Sequence, residues 1–457
     1  MNPDDLLDLV VDKASGRCDY FDARYQKDES LSIVKRMTEE EISSGVSEGI
    51  SIRVLKGEQW RSSGLSQLDK TSVLKEVERL VSFKPSTKTS YKPYEGWNLK
   101  EEYPMKIQFS DIGVEEKLNK VRELFNSTKQ FDPRIVAARA AISHSLIEKA
   151  FVNSEGSHLK QKIPIIRLVI VAIAREGEKV QQDYFSHGVQ GGYEVVSSVD
   201  EERAVKDVAD GAIQLLEAKP TPSGRFPVVL DPQMAGLIAH ESFGHGLEAD
   251  QVLRDRSFLS GYLEKRVASD PVTISDDSAV EGSYGSYYFD DEGIKSRKNI
   301  LVENGILKSF IHTRETASMM NASVTANGRA QDFSRRIYVR MSNTYFEKGD
   351  HSFEELIEDI KHGIYLVKGS HGMEDPLGGG IQVGSMKAYL IEKGETTQLL
   401  RAAALSGNVL DLLMKVSAIG KDFRLDPGTC GKGYEDFIGV TSGGASIKVD
   451  EGIVSGG

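Results

Sequence analysis

From Ile165 to Ala174 the chain is apolar at every position but Arg167, and rich in Ile and Val. A run of that kind suits a largely buried strand, with Pro164 marking its start, although periodicity alone leaves a core helix open. A buried strand needs neighbours. Strand-like stretches occur at 17–26, 30–37, 47–56, 58–65, 135–141, 146–153 and 181–191, and the earlier ones read as antiparallel. Helical patterns occupy 4–13, 66–82, 114–128 and 199–218. Residues 84–104, polar and carrying Pro85, Pro93 and Pro104, read as a long surface connection.

Pro220-Thr221-Pro222-Ser223-Gly224 is the strongest break in the chain, and 457 residues exceed the usual size of a single core. The expected fold class is α+β. An N-terminal α/β domain, residues 1–220, has an antiparallel sheet and helices. A C-terminal, mostly β domain, residues 221–457, carries the candidate site. In the second half a short strand at 226–230 feeds a helix at 231–239. Further helices are expected at 353–363 and 408–417, with turns at 281–286, 303–305, 349–350, 378–380 and 393–395.

Composition removes several classes of function. No stretch approaches the ~18 apolar residues of a membrane span. The acidic start has no basic segment of the signal-peptide kind. A formal net charge of -12 argues against nucleic acid as the main partner. Two cysteines far apart point to a reducing, cytoplasmic setting.

The helix expected at 231–239 runs into His240-Glu241-Ser242-Phe243-Gly244-His245. Imidazole is a common zinc ligand, and a glutamate beside the first one stands where a base for a metal-activated water would sit. A hydrolytic metalloenzyme is therefore the leading expectation. In the familiar zinc-protease motif the histidines are four apart. Here they are five apart, which on a regular helix leaves the rings roughly 140° apart rather than about 40°. The spacing predicts a π-bulge or a helix end near 243–246, where Gly244 and Gly246 ease an irregular backbone. The plainer reading is a helix with two satisfied histidines.

A catalytic zinc usually has a third protein ligand. Glu248, Asp250, the seven other histidines and Cys430 are candidates. His371 lies in the polar loop 370–376. Cys430 lies in Pro427-Gly428-Thr429-Cys430-Gly431-Lys432-Gly433, read as a glycine-rich turn in which exposed backbone and nearby Lys432 favour thiolate. Its alternative is a small buried hydrophobe. Cys18, in a strand-like pattern, reads as packing only. With Cys430 as ligand, Glu248 and Asp250 become orienters of the imidazoles.

With Cys430-Gly431-Lys432 far downstream, His240-Glu241-x3-His245-Gly246-Leu247-Glu248-x-Asp250 resembles the TldD branch of the TldD/PmbA metallopeptidases. Asp290-Asp291-Glu292-Gly293, Arg340-Met341-Ser342-Asn343-Thr344, 388–392, 405–408 and Gly49–Val54 are similar too, so the likeness covers essentially the whole chain. The resemblance implies zinc held by His240, His245 and Cys430, with Glu241 as catalytic base. It also implies short or unfolded polypeptides as substrates, reached inside a dimer, either a homodimer or a heterodimer with a PmbA-like subunit that lacks the metal motif. The family often continues Cys-Gly-Lys-x-Gly-Gln. Here Gly433-Tyr434-Glu435 follows Lys432, which puts any role of that Gln in doubt.

Two rival readings accompany this one: a non-catalytic binding or scaffold subunit of such a complex, and a metal-dependent hydrolase of a non-peptide bond. Other features read more plainly. Gly378–Gly380 lacks the spacing of a phosphate loop. Arg329, Arg335, Arg336 and Arg340 form a basic cluster, either solvated and paired with acids or holding a peptide carboxylate. Tyr284, Tyr287, Tyr288 and Phe289 read as core or interface.

Overall fold

The computed structural model describes residues 2–57, 59–84, 91–433 and 436–456. The apolar run lies inside one strand, His158–Glu176, flanked by antiparallel Ile135–Asn153 and Lys179–Gln190. Ile166, Leu168, Ile170, Ala172 and Ala174 share one buried face, as a period of two requires. The helices Val114–Gln130 and Glu201–Glu217 cover that face with Leu118, Val121, Leu124, Val205, Val208 and Leu216. Strands Tyr20–Lys35, Glu40–Lys56 and Gln59–Leu65 extend the sheet antiparallel. The helices Pro3–Ala14 and Lys70–Val81 close its outer end, where partly buried Cys18 packs, its thiol raised to about 11 by burial and by Asp19.

Strand and helix bounds differ from the expectation in instructive ways. The stretches at 17–26 and 30–37 are one strand, and so are 135–141 and 146–153. Ser143-His144-Ser145 reads as a break because alternation lapses there. In the sheet these residues are paired on both sides, and the His144 ring stacks on Phe109 with its Nε2 3.3 Å from Lys117 Nζ. Within the segment read as a connection, Asn98–Glu102 forms a strand parallel to the start of His158–Glu176. Lys100, Glu101 and Glu102 give it no apolar pattern to read. Residues 85–90 of that segment lie outside the described residues. The helices expected at 353–363 and 408–417 end early, at Ile357 and Leu413, and the chain passes into strands.

In the second half, strands His362–Asp375, Gly224–Leu230, Ile447–Gly456, Ala403–Asn408 and Gly380–Glu392 pair in a closed circuit. A six-stranded sheet lies beside it, ending with Asn343–Phe346, Asp436–Gly444 and, at its edge, Arg424–Lys432. With strand making up 45% of the chain and helix 23%, in sheets in both halves, the fold is α+β.

The helix Pro232–Ile238 begins as its sequence dictates: the Asp231 side chain accepts from the Met234 amide at 2.8 Å, and Pro232 fills the first helical position. Its Gly236 faces strand backbone. A Cβ there would stand 2.3 Å from the Gly443 nitrogen, so only glycine permits the contact. This approach brings the 424–444 hairpin, with Cys430, to the helix end.

A buried ionic seam joins the N-terminal sheet to the second half. Asp291 meets Arg24 at 3.0 Å and Lys149 at 2.6 Å. Arg53 reaches Asp22 at 2.6 Å and Glu292 at 2.9 Å. Arg314 pairs with Glu155 at 2.7 Å and donates to the Tyr20 hydroxyl at 2.8 Å. Among the described residues no helix is long and apolar enough to cross a membrane.

Candidate metal centre

Beyond Ile238 the helix widens. Residues Ala239–Gly244 form a π-helical turn in which the His245 amide donates to the His240 carbonyl, and the turn His245–Leu247 follows as 3₁₀. An i→i+5 bond is the geometry that aligns side chains five apart. The two imidazoles come together, ring centroids 5.2 Å apart and nearly perpendicular. This is the irregularity that the five-residue spacing predicts.

Cys430 joins them. Its Sγ stands 3.5 Å from His245 Nε2, and one donor atom from each of His240, His245 and Cys430 lies within 4.8 Å of the others. Among the described residues this is the one His/Cys/Asp/Glu group gathered closely enough to hold an ion. Ligand atoms around a tetrahedral zinc stand about 3.4–3.6 Å apart, from the bond lengths of nitrogen and sulfur to zinc. Two imidazoles and a thiolate are a zinc-type donor set. His240 Nδ1 is buried without a hydrogen-bond partner, an orphan of the kind a functional site explains. The residues therefore fit the ion that the motif implies.

The reason Cys430 suits a metal differs from the one read in the sequence. It lies not in an exposed turn but inside the strand Arg424–Lys432, opposite Ile438 and 2% exposed. Burial raises its thiol, but hydrogen bonds and charge from His240 and His245 outweigh that and bring it down to about 5. Lys432 is turned elsewhere. Its Nζ donates to Glu248 at 3.0 Å, to Asp250 at 2.9 Å and to the Val339 carbonyl at 3.0 Å. Tyr434 and Glu435, the departure from the family pattern, lie outside the described residues.

Of the two carboxylates expected to orient imidazole, one stands beside a ring. Glu248 Oε2 is 3.6 Å from His245 Nδ1, an ion-pair distance too long for a direct hydrogen bond. With an ion bound, a proton on Nδ1 would leave the Nε2 lone pair for the metal. Glu248 is fully buried, and Lys432 and His245 overcome its desolvation to hold it near 2. Asp250 has no imidazole contact. It serves as the second acceptor of Lys432, and its pKa is raised, chiefly by burial.

Glu241 lies across from the 362–392 hairpin. A Cβ on Gly372 would come within 2.5 Å of Glu241 Cγ, so the missing side chain there is the space Glu241 uses. Two residues on, Glu374 shares that face. Burial lifts it to about 8; His245 opposes the rise, and Glu241, Glu248 and Cys430 add to it. The sequence reading treats 370–376 as a polar loop and passes over Glu374. Its signal, Gly372 and Glu374 alternating with exposed Met373 and Asp375, is legible only once the segment is known to be a strand.

The arginine cluster separates into distinct jobs. Arg329 donates to the carbonyls of Met341 at 2.6 Å and Gly439 at 2.9 Å, and Arg336 lies 3.8 Å from Glu315. Arg340, 1% exposed, donates to the Cys430 carbonyl at 2.7 Å and fixes the backbone that carries the thiol. Arg340→Met should weaken zinc binding about 10–100-fold, the usual effect of removing a group that orients a ligand. Competition with a chromophoric chelator measures this, and an unchanged affinity would remove Arg340 from the centre's support.

The fold and site define a class: an α+β protein with a His-Glu-x3-His π-turn and a distal cysteine, a donor set of zinc type. Residues 107–219 match the PmbA/TldA metallopeptidase central domain and residues 223–456 its C-terminal domain. A metalloprotease of Methanocaldococcus jannaschii is 38% identical over 444 residues, 94% of this chain and 96% of that one. A zinc metalloprotease TldD homolog of Saccharolobus solfataricus is 28% identical, covering 96% of both chains. The crystal structure of TldE from Thermococcus kodakarensis superposes with a TM-score of 0.78 over 99% of this chain and all of that one, at 19% identity, a likeness of fold. The chain belongs to the PmbA/TldD metallopeptidase family.

Proposed function

We propose that the chain is a zinc-dependent peptidase acting on short or unfolded polypeptides inside a dimer cavity. His240, His245 and Cys430 hold the ion, and Glu241 is the base. The observation that carries this reading is the convergence of the three donor atoms, from a π-turn and a distant strand, beside a carboxylate seated against Gly372. Bound zinc supplies Lewis acidity, polarising a carbonyl and acidifying water. Glu241 takes the proton of the attacking water and delivers it to the leaving amine. Glu248 keeps the His245 ring oriented, and Lys432 compensates Glu248.

Edge strands suit an extended peptide. The strand Arg424–Lys432 is last in its sheet, and residues 369–375 pair only with the Gly380–Glu392 strand. A peptide adding to such an edge is held by its main chain, which favours unfolded substrates of varied sequence. The partner subunit is a second copy or a PmbA-like chain. The exposed arm that carries Met37, Ile42 (48% exposed) and Val46 (65%) among polar residues is a surface suited to it. We place the protein in the cytoplasm, where the Cys430 thiol stays reduced.

The test is cleavage of an unstructured peptide by the zinc-loaded chain, alone and mixed with a PmbA-like partner. Zinc-dependent turnover in either case supports the reading, and none in both overturns it. The site makes a finer expectation. Gly372→Ala places a methyl where Glu241 lies and should lower kcat about 10–100-fold with zinc content unchanged, since a displacement of about 1 Å is costly at a reacting centre. Zinc assay beside steady-state kinetics separates the two effects.

A further inference from the structure

We propose that Glu374 makes the metal centre selective for peptides carrying a free ammonium group near the scissile bond, an α-amino terminus or a lysine side chain. The proposal rests on the peptidase reading.

Glu374 reaches the centre by register. Residues 371–375 pair regularly with 384–380, so successive side chains alternate between faces. Gly372 faces Glu241, and Glu374 therefore points to the same side, while Met373, 65% exposed, points away. The charged groups that act on Glu374 are His245, Glu241, Glu248 and Cys430, the members of the centre itself. Its Oε2 is buried with no hydrogen-bond partner. A buried carboxyl oxygen with no donor is costly and calls for a ligand that supplies one.

The surrounding charge says which ligand. The cation that might have served Glu374, Lys432, is committed to Glu248, Asp250 and the Val339 carbonyl. Arg340 is buried on the Cys430 carbonyl. A dipositive ion with one thiolate and two neutral imidazoles carries one positive charge, which Glu241 cancels. Charge on Glu374 would then be in excess beside the reacting position, so without a partner the charged form is disfavoured there. A ligand ammonium would compensate that charge and donate to Oε2, whereas an acetylated amine brings no charge and an acidic side chain adds to the excess.

The zinc-loaded chain is assayed with peptides of one sequence in four forms: free or acetylated at the N-terminus, with lysine or norleucine within. We expect kcat/KM to be at least about tenfold higher for the form bearing the recognised ammonium, the worth of one charge-assisted hydrogen bond. Loss on acetylation identifies the terminus, and loss on norleucine identifies the side chain. Glu374→Gln should bring the ratio to about one. Calorimetric binding of the same peptides to the zinc-loaded Glu241→Gln chain should show the same preference without turnover. Equal cleavage and equal binding of all four forms would overturn the proposal. Cleavage of none would overturn the peptidase reading, and the binding preference would still decide the role of Glu374.

Discussion

Glu241→Gln should lower peptide cleavage about 10²–10⁴-fold while zinc stays bound, the contribution of a positioned general base. Glutamine keeps the shape of the side chain and its space beside Gly372, but cannot take a proton. The donor atoms of His240, His245 and Cys430 are untouched by the change, so metal content and melting temperature should match those of the parent chain. KM should move little, because the lost interaction develops only as the water attacks. Retained turnover would remove Glu241 from the chemistry, and loss of zinc together with turnover would make it a structural residue instead.

Asp291→Ala should destabilise the fold by about 3–5 kcal/mol, the cost of leaving buried cations without their partner. Asp291 is 2% exposed and is shared by Arg24 and Lys149, so one substitution strands two charges at the seam between the N-terminal sheet and the second half. Urea unfolding measures it. The pH dependence gives an independent check. Burial alone would raise this carboxyl, but Arg24 and Lys149 hold it near 2, below its ordinary 3.8. A depressed carboxylate stabilises the fold fully above its ordinary value and loses that contribution as pH falls toward 2. The difference between variant and parent should therefore narrow between about pH 4 and pH 2. A variant within about 1 kcal/mol of the parent would mean that the seam is solvated.

The centre was more legible than its setting. A five-residue spacing in a good helix requires an irregularity, so a π-bulge or a helix end near 243–246 could be read from residues alone, and the structure has a π-turn at Ala239–Gly244. The approach of Cys430 could not. It depends on Gly236 meeting the backbone of Gly443, a contact between residues far apart in sequence. The same holds for Arg340, which looked like part of a basic patch and proves to be a buried brace. In the sequence Lys432 reads as an aid to the thiolate, yet its ammonium is held by Glu248 and Asp250, and the imidazoles lower the thiol instead. In the fold, apolar periodicity located the central strand, and charged or polar stretches such as 98–102 and 143–145 hid strand continuity because their partners lie in other strands.

Zinc K-edge X-ray absorption on the purified, zinc-loaded chain tests the centre most directly. The expected spectrum has two nitrogen scatterers of imidazole type at about 2.0 Å and one sulfur at about 2.3 Å, with the sulfur shell lost in Cys430→Ser. A first shell of nitrogen and oxygen alone, unchanged by that substitution, would contradict it.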